Sequence, residues 1–281
     1  MLTILAAATL SALHPATDPN RTILFEDAFD AAELDRSKWN VEGPEFWVND
    51  EEQVYVDLKE TVYISDKVPG ASGGALVLQP RYFEGVEVPG VRREDFISGR
   101  IDTRGKFDFQ YGRAEARIKL TDHEGVWPAW WLLGNGEWPT TGEIDILEYV
   151  GQKDWIGVAV HGVGYSGDAG PTNWFYFRDG EDATGWHVYG VEWTKDEIVF
   201  DVDGDVAYRV TRPKIEYLDD WRFDNPMHLI LNFAVGGAYP RKVNGIKSKP
   251  YVGLPQETVE AIKRGEPAMF VDWVKVTAPA E

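Results

Sequence analysis

Residues 113–120 alternate throughout: Ala114, Ala116, Ile118 and Leu120 fall on one face of an extended segment, and Arg113, Glu115, Arg117 and Lys119 on the other. A period of two is the signature of a strand with one buried side. Short β-rich runs recur at 23–25, 54–56, 61–65, 75–79, 156–161, 187–193, 197–203, 206–210, 227–235 and 270–276. Turn signals separate several of them: Pro69-Gly70, Gly73-Gly74 and the hairpin pair Asp203-Gly204. One helix stands out at 255–265, with Pro255 opening it, Glu257 early, Lys263 and Arg264 late, and Gly265 closing it. Many short strands with almost no helix predict an all-β sandwich. No sequence repeat or internal boundary divides residues 21–281, and a 43% hydrophobic composition supplies the core of a single domain.

The stretch Gly142-Glu143-Ile144-Asp145-Ile146-Leu147-Glu148-Tyr149-Val150 reads as one of these strands. Glu143 and Asp145 then share a face, Ile144 and Ile146 enter the apolar layer, and Glu148 has the wrong parity to join the first two. One extra residue near Ile146-Leu147, a β-bulge, returns Glu148 to their side, and bulges are common beside active sites. Three carboxyl groups so close repel one another and raise one another's pKa. Either this is a solvent-facing stripe in an acidic chain, or a cation or a reaction uses it. The neighbours favour a reaction. Gly125-Val126-Trp127-Pro128-Ala129-Trp130-Trp131 and Trp138-Pro139 precede the stretch, and the next strand ends in His161. Aromatic faces stack on the apolar side of a pyranose ring, and two carboxyl groups carry out glycosidic bond cleavage.

Net charge is −19, from 47 Asp and Glu against 28 Lys and Arg. That excludes nucleic acid and anionic membranes as partners, since both require basic patches. It also disfavours sulfated or uronic polysaccharides relative to a neutral glucan, although solubility or a salty habitat accounts for the acidity equally well. Twelve Trp exceed what a core of this size absorbs, and a carbohydrate cleft is an outlet for the rest. The absence of cysteine rules out disulfides and zinc–thiolate sites. Residues 2–13 form an apolar, Ala-rich stretch too short to span a bilayer. It is similar to the apolar region of an export signal, without preceding Lys or Arg and without a clean A-x-A cleavage site. Residues 1–20 are therefore expected to be a signal and linker, and the protein to be secreted or periplasmic.

Trp127-Pro128-Ala129-x-Trp131 followed by Gly142-Glu143-Ile144-Asp145-Ile146-x-Glu148 resembles glycoside hydrolase family 16, in its laminarinase-like, endo-β-1,3-glucanase branch. Further matching blocks occur in order, including Asn49-Asp50-Glu51-Glu52-Gln53, Ser98-Gly99-Arg100-Ile101, Tyr111-Gly112-Arg113-Ala114-Glu115-Ala116-Arg117, Asn232-Phe233-Ala234-Val235-Gly236-Gly237 and Val271-Asp272-Trp273-Val274-Lys275-Val276. The E-x-D-x-x-E spacing is that of the family's bulged branch. The resemblance implies a jelly-roll β-sandwich of two curved antiparallel sheets with a concave substrate cleft, and a monomer acting on a polysaccharide. It implies retaining endo-hydrolysis of β-1,3-glucan, with mixed-linkage glucan, agar-type galactan and non-catalytic glucan binding as alternatives.

By position, the resemblance makes Glu143 the nucleophile, Glu148 the general acid/base and Asp145 the residue that orients the nucleophile. Glu148 is expected to titrate near ~6, as a desolvated general acid does. His161 is placed beside the acid/base, or else is a core imidazole. Trp127 and Trp131 match the sugar platform, Trp130 by parity packs inward, and Trp138 lines the cleft or staples a loop. Arg100, Asn49 and Gln53 match residues that hydrogen-bond sugars on the non-reducing side, with Asp50 standing where the family commonly has Asn. Trp39, Trp193 and Trp273 match core positions. Residues 241–267 form an insert between two matching blocks. No cofactor is required for the chemistry. A structural calcium is implied at Asp272, although Asp27-Ala28-Phe29 lacks one carboxylate of the matching N-terminal motif, leaving backbone carbonyls to complete the shell.

Overall fold

The computed structural model describes residues 20–88, 92–178, 180–247 and 250–279. The expected signal and linker therefore lie, apart from Asn20, outside the described residues.

Two large antiparallel sheets enclose one hydrophobic core. The first runs, in spatial order, Asp205–Thr211, Glu197–Val202, Trp186–Trp193, Gly112–Lys119, Met269–Pro279, Ala75–Leu78 and Val62–Ser65, with Arg21–Asp27 also paired to Met269–Pro279. The second runs Thr172–Tyr176, Trp155–His161, Glu143–Glu148, Val126–Gly134, Met227–Val235, Arg100–Asp102 and Asn40–Val41. This is the all-β sandwich expected from the sequence. The alternation at Gly112–Lys119 is obeyed residue by residue, with Ala114, Ala116 and Ile118 fully buried and the charged residues between them only partly so. A third, small sheet joins Gln53–Tyr55, Arg92–Ser98 and Arg81–Val88, and its first pairing is parallel. Local pattern does not predict it, because strand partners and directions are not written in periodicity.

Local chemistry accounts for several of the connections. The Asp203-Gly204 turn has both residues at positive φ, 53° and 87°, which is the backbone a two-residue hairpin needs. The expected late helix is Gln256–Arg264, ended by Gly265 in the left-handed conformation. A second helix, Ala238–Asn244, follows Met227–Val235 through Gly236-Gly237. Pro240 lies in its first turn, where the missing N–H is tolerated. Trp39 and Trp193 are fully buried and Trp273 nearly so, as core positions should be.

Candidate active site

The outer face of the second sheet forms a cleft of about 990 Å³. Its floor follows the period-two rule. In Val126–Gly134, Val126, Trp130 and Leu132 enter the core while Trp127, Ala129, Trp131 and Leu133 line the cleft. In Trp155–His161, Ile156, Val158 and Val160 are buried while Trp155, Ala159 and His161 line it. The strand between breaks the rule once. Trp130 pairs with Leu147 but Trp131 pairs with Asp145, so Ile146 is the extra residue. The other neighbour shows the same shift, with Asp145 opposite Ala159 and Glu148 opposite Gly157. This is the expected bulge, and Ile146 and Leu147 both point into the core. Glu143, Asp145 and Glu148 all line the cleft as a result.

Each carboxyl group has a distinct partner. Trp127 Nε1 donates to Glu148 Oε1 at 3.0 Å. The half-exposed Trp138 side chain lines the cleft beside Glu143 and lowers its pKa slightly. His161 Nε2 lies 3.2 Å from Asp145 Oδ2 and 3.8 Å from Glu143 Oε1. His161 is opposite Glu143 in the register, whereas Gly157 is opposite Glu148. The imidazole was expected beside Glu148; its short contacts are with Asp145 and Glu143, because the register sets it opposite Glu143, while its charge also lowers the pKa of Glu148. Gly170 backs the ring so closely that a Cβ there would sit 2.4 Å from His161 Nδ1. Glu143, Asp145 and His161 place ligating atoms within 4.8 Å of one another, the one group among the described residues with metal-binding proximity.

Burial raises the pKa of all three acids. Glu143 is lifted to about 8 by desolvation and then by the charge of Asp145, opposed by His161. Glu148 is lifted to about 8 by desolvation and then by Asp145, opposed by His161 and the Trp127 N–H. Desolvation likewise raises Asp145 to about 8. The shift in Glu148 has the expected direction but goes beyond ~6, since burial adds to the repulsion by Asp145. Three acids this close titrate as a cluster, and its proton affinities belong to the group.

At one end of the cleft, Arg100 is sandwiched between Phe46 (3.9 Å to the ring centroid) and Trp131 (4.8 Å). Trp131 Nε1 donates to Asn232 Oδ1 at 2.8 Å. Asn49 lines this end at positive φ, 57°. Gln53 does not line the cleft. It is fully buried, donating to Glu51 Oε2 at 2.6 Å and accepting from the Val235 N–H at 2.7 Å. With both ends of its amide in use, it braces the loop behind Arg100 and has nothing left for a sugar. Phe46, Glu51, Asn232 and Tyr239 also line the site and were not singled out in the sequence. Asn232 belonged to a recognised block, and parity in Met227–Val235 would have found it.

The calcium expectation at Asp272 is not met by the residues around it. Its carboxylate accepts from Ser72 N at 2.7 Å and Ser72 Oγ at 2.6 Å, and it forms an ion pair with Arg117. A guanidinium stands where a divalent cation would have to be, so the site does not fit calcium.

A β-sandwich whose cleft places paired carboxyl groups between aromatic walls has the layout of a carbohydrate-cleaving enzyme. The chain belongs to glycosyl hydrolases family 16, whose family model matches residues 46–249. It is 36% identical over 237 residues to the beta-glucanase of Rhodothermus marinus, covering 79% of this chain and 78% of that protein. Among solved structures it superposes on the endo-beta-1,3-glucanase from Pyrococcus furiosus with a TM-score of 0.79 and 32% identity, covering 93% of this chain and 95% of that one. The laminarinase catalytic domain from Thermotoga maritima MSB8 matches with a TM-score of 0.78 and 32% identity, over 93% of this chain and 100% of that one.

Proposed function

We propose that the protein is a retaining endo-β-1,3-glucanase acting on laminarin-like chains, with Glu143 as nucleophile and Glu148 as general acid/base. The observation that carries these roles is the bulge at Ile146, which gathers both Glu and Asp145 on the cleft face. A Glu143 carboxylate oxygen attacks the anomeric carbon as the bond to the leaving oxygen breaks, and Glu148 gives that oxygen its proton. Glu148 then takes a proton from water, which attacks the anomeric carbon and releases Glu143. Asp145, beside His161, shifts charge within the cluster so that one Glu is ionised while the other keeps its proton. Trp131 and Trp127 support the sugars beside the bond, and Arg100 and Asn49 take hydroxyl groups of the non-reducing-side sugars.

The retention of both Glu in the cleft speaks against a purely glucan-binding protein. The deciding experiment is product analysis on laminarin, lichenan, agarose and carrageenan with the wild type and Glu143→Gln. Cleavage of laminarin first, and its loss in the variant with the melting temperature kept, is the expected result. Substantial turnover by Glu143→Gln would overturn the assignment. The same reading places the enzyme as a monomer outside the cytoplasmic membrane, where polymeric glucan is met; size-exclusion chromatography and cell fractionation test this. Among the described residues no helix is long and apolar enough to cross a membrane.

A further inference from the structure

Register across the second sheet places Arg100, Asn232, Ala129, Glu148, Gly157 and Trp174 in one row perpendicular to the strands. The two residues beside Glu148 in this row are Ala129 and Gly157, so the floor on either side of the carboxyl group is low. Towards Arg100 the floor ends in the polar residues already described. In the other direction it ends in an aromatic rim on the edge strand Thr172–Tyr176, where Trp174 is 49% and Tyr176 58% exposed. Trp155 packs on Trp174, with ring centroids 5.5 Å apart, and all three rings line the same cleft. Large apolar rings left exposed together in a cleft are surfaces kept for a ligand.

The rim is held in place. Trp174 Nε1 donates to Tyr239 Oη at 3.3 Å, and the Tyr239 ring meets Trp127 edge-on at 5.6 Å. The Tyr239 hydroxyl occupies the notch left by Gly157: a Cβ there would lie 3.0 Å from it and 3.7 Å from Glu148 Cβ. Tyr239 is carried by the helix Ala238–Asn244, whose Lys242 reaches across the cleft to Asp168 at 2.8 Å. An unbroken path thus runs from Glu148 to Trp174, about two strand spacings or roughly 10 Å away.

We propose that Trp174, with Trp155 and Tyr176, is a stacking platform for glucan residues on the leaving-group side of the cleavage point. It rests on the roles proposed above, because placing non-reducing-side sugars at Arg100 assigns the opposite arm to the leaving group. The platform sets how many sugars must lie beyond the broken bond for efficient turnover. It also retains the departing chain near the glycosyl–enzyme intermediate.

The test uses a β-1,3-linked glucose hexasaccharide labelled at its reducing end, with wild type, Trp174→Ala and Trp174→Phe. Loss of the indole should lower kcat/KM on the hexasaccharide about tenfold, the scale of one aromatic stacking contact. Cleavage should also move towards the labelled end, so that the label leaves on shorter fragments, and Phe should restore part of both effects. An unchanged fragment pattern and kcat/KM in Trp174→Ala overturn the platform. Should that variant not fold, Tyr176→Ala on the same rim is judged by the same criteria. A wild type that leaves the hexasaccharide uncut removes the hydrolase reading instead. The platform is then judged by hexasaccharide binding, and equal affinity in wild type and Trp174→Ala overturns it.

Discussion

Replacing Trp127 by Phe removes one hydrogen-bond donor while keeping an aromatic face. The indole N–H lies 3.0 Å from Glu148 Oε1 and stabilises the ionised carboxylate, against the desolvation and Asp145 repulsion that raise its pKa. A hydrogen bond to a charged group contributes about 1.5–3 kcal/mol, and water reaching this half-buried carboxyl group recovers part of it, leaving a loss of about 1–1.5 kcal/mol or about one pH unit. The sign is fixed by which form the donor favours. Without it the protonated acid persists to higher pH, so the alkaline limb of kcat/KM, which reports the free enzyme, moves up by about one unit. The assay is a pH profile of kcat/KM on laminarin for wild type and Trp127→Phe. If Trp127 served only as a sugar platform, KM would change and the limb would stay. A limb that stays, or moves down, refutes the reasoning.

Asp145→Asn should act in the opposite direction on that limb, because the Asp145 charge raises Glu148. It should also alter stability. Asp145 goes from 3.8 in the unfolded chain to about 8 on folding, so between those values the folded protein holds a proton that the unfolded chain has released. Stability at this site is full at acid pH and is lost as pH rises towards 8. Asn mimics the protonated form, so its melting temperature should fall less between acid and alkaline buffer than that of wild type; a steeper fall contradicts the assignment. Chelator should leave the melting temperature of wild type unchanged, since Arg117 occupies the Asp272 carboxylate. Asp272→Ala, which leaves Ser72 and the partly buried Arg117 without their shared carboxylate, should cost about 1–3 kcal/mol in denaturant unfolding.

What the sequence disclosed tracks what local periodicity can encode. The faces of Gly112–Lys119 and Val126–Gly134 follow from alternation, and the bulge follows from an acid with the wrong parity. Gln53 shows the limit. An amide in an acidic loop looks the same whether it meets a sugar or its own backbone, and only the fold shows Glu51 and Val235 at its two ends. Asp272 fails in the same way, because Ser72 and Arg117 are distant in sequence and meet it only when Ala75–Leu78 and Gly112–Lys119 pair with Met269–Pro279. His161 was legible as a site residue, yet its nearest carboxyl groups are set by how Trp155–His161 pairs with Glu143–Glu148, which local pattern does not encode. The aromatic rim was not legible because Trp155, Trp174 and Tyr239 come from separate segments, two of them outside any strong motif.

The bulge therefore does two opposed things with one residue. It moves Glu148 out of the apolar layer, where an unpaired carboxyl group would be costly to bury, and gives that layer Ile146 and Leu147, both buried in the core. The same step puts a third acid beside two others in a site where desolvation raises all three, which weakens the fold as pH rises. The apolar gain lies on one face of the strand and the electrostatic cost on the other, so the core below offsets the strain of the chemistry above. That separation explains why the strand can hold three acids without unfolding: Ile144, Ile146 and Leu147 anchor its backbone from beneath, and the carboxyl groups are perturbed without being free to move apart.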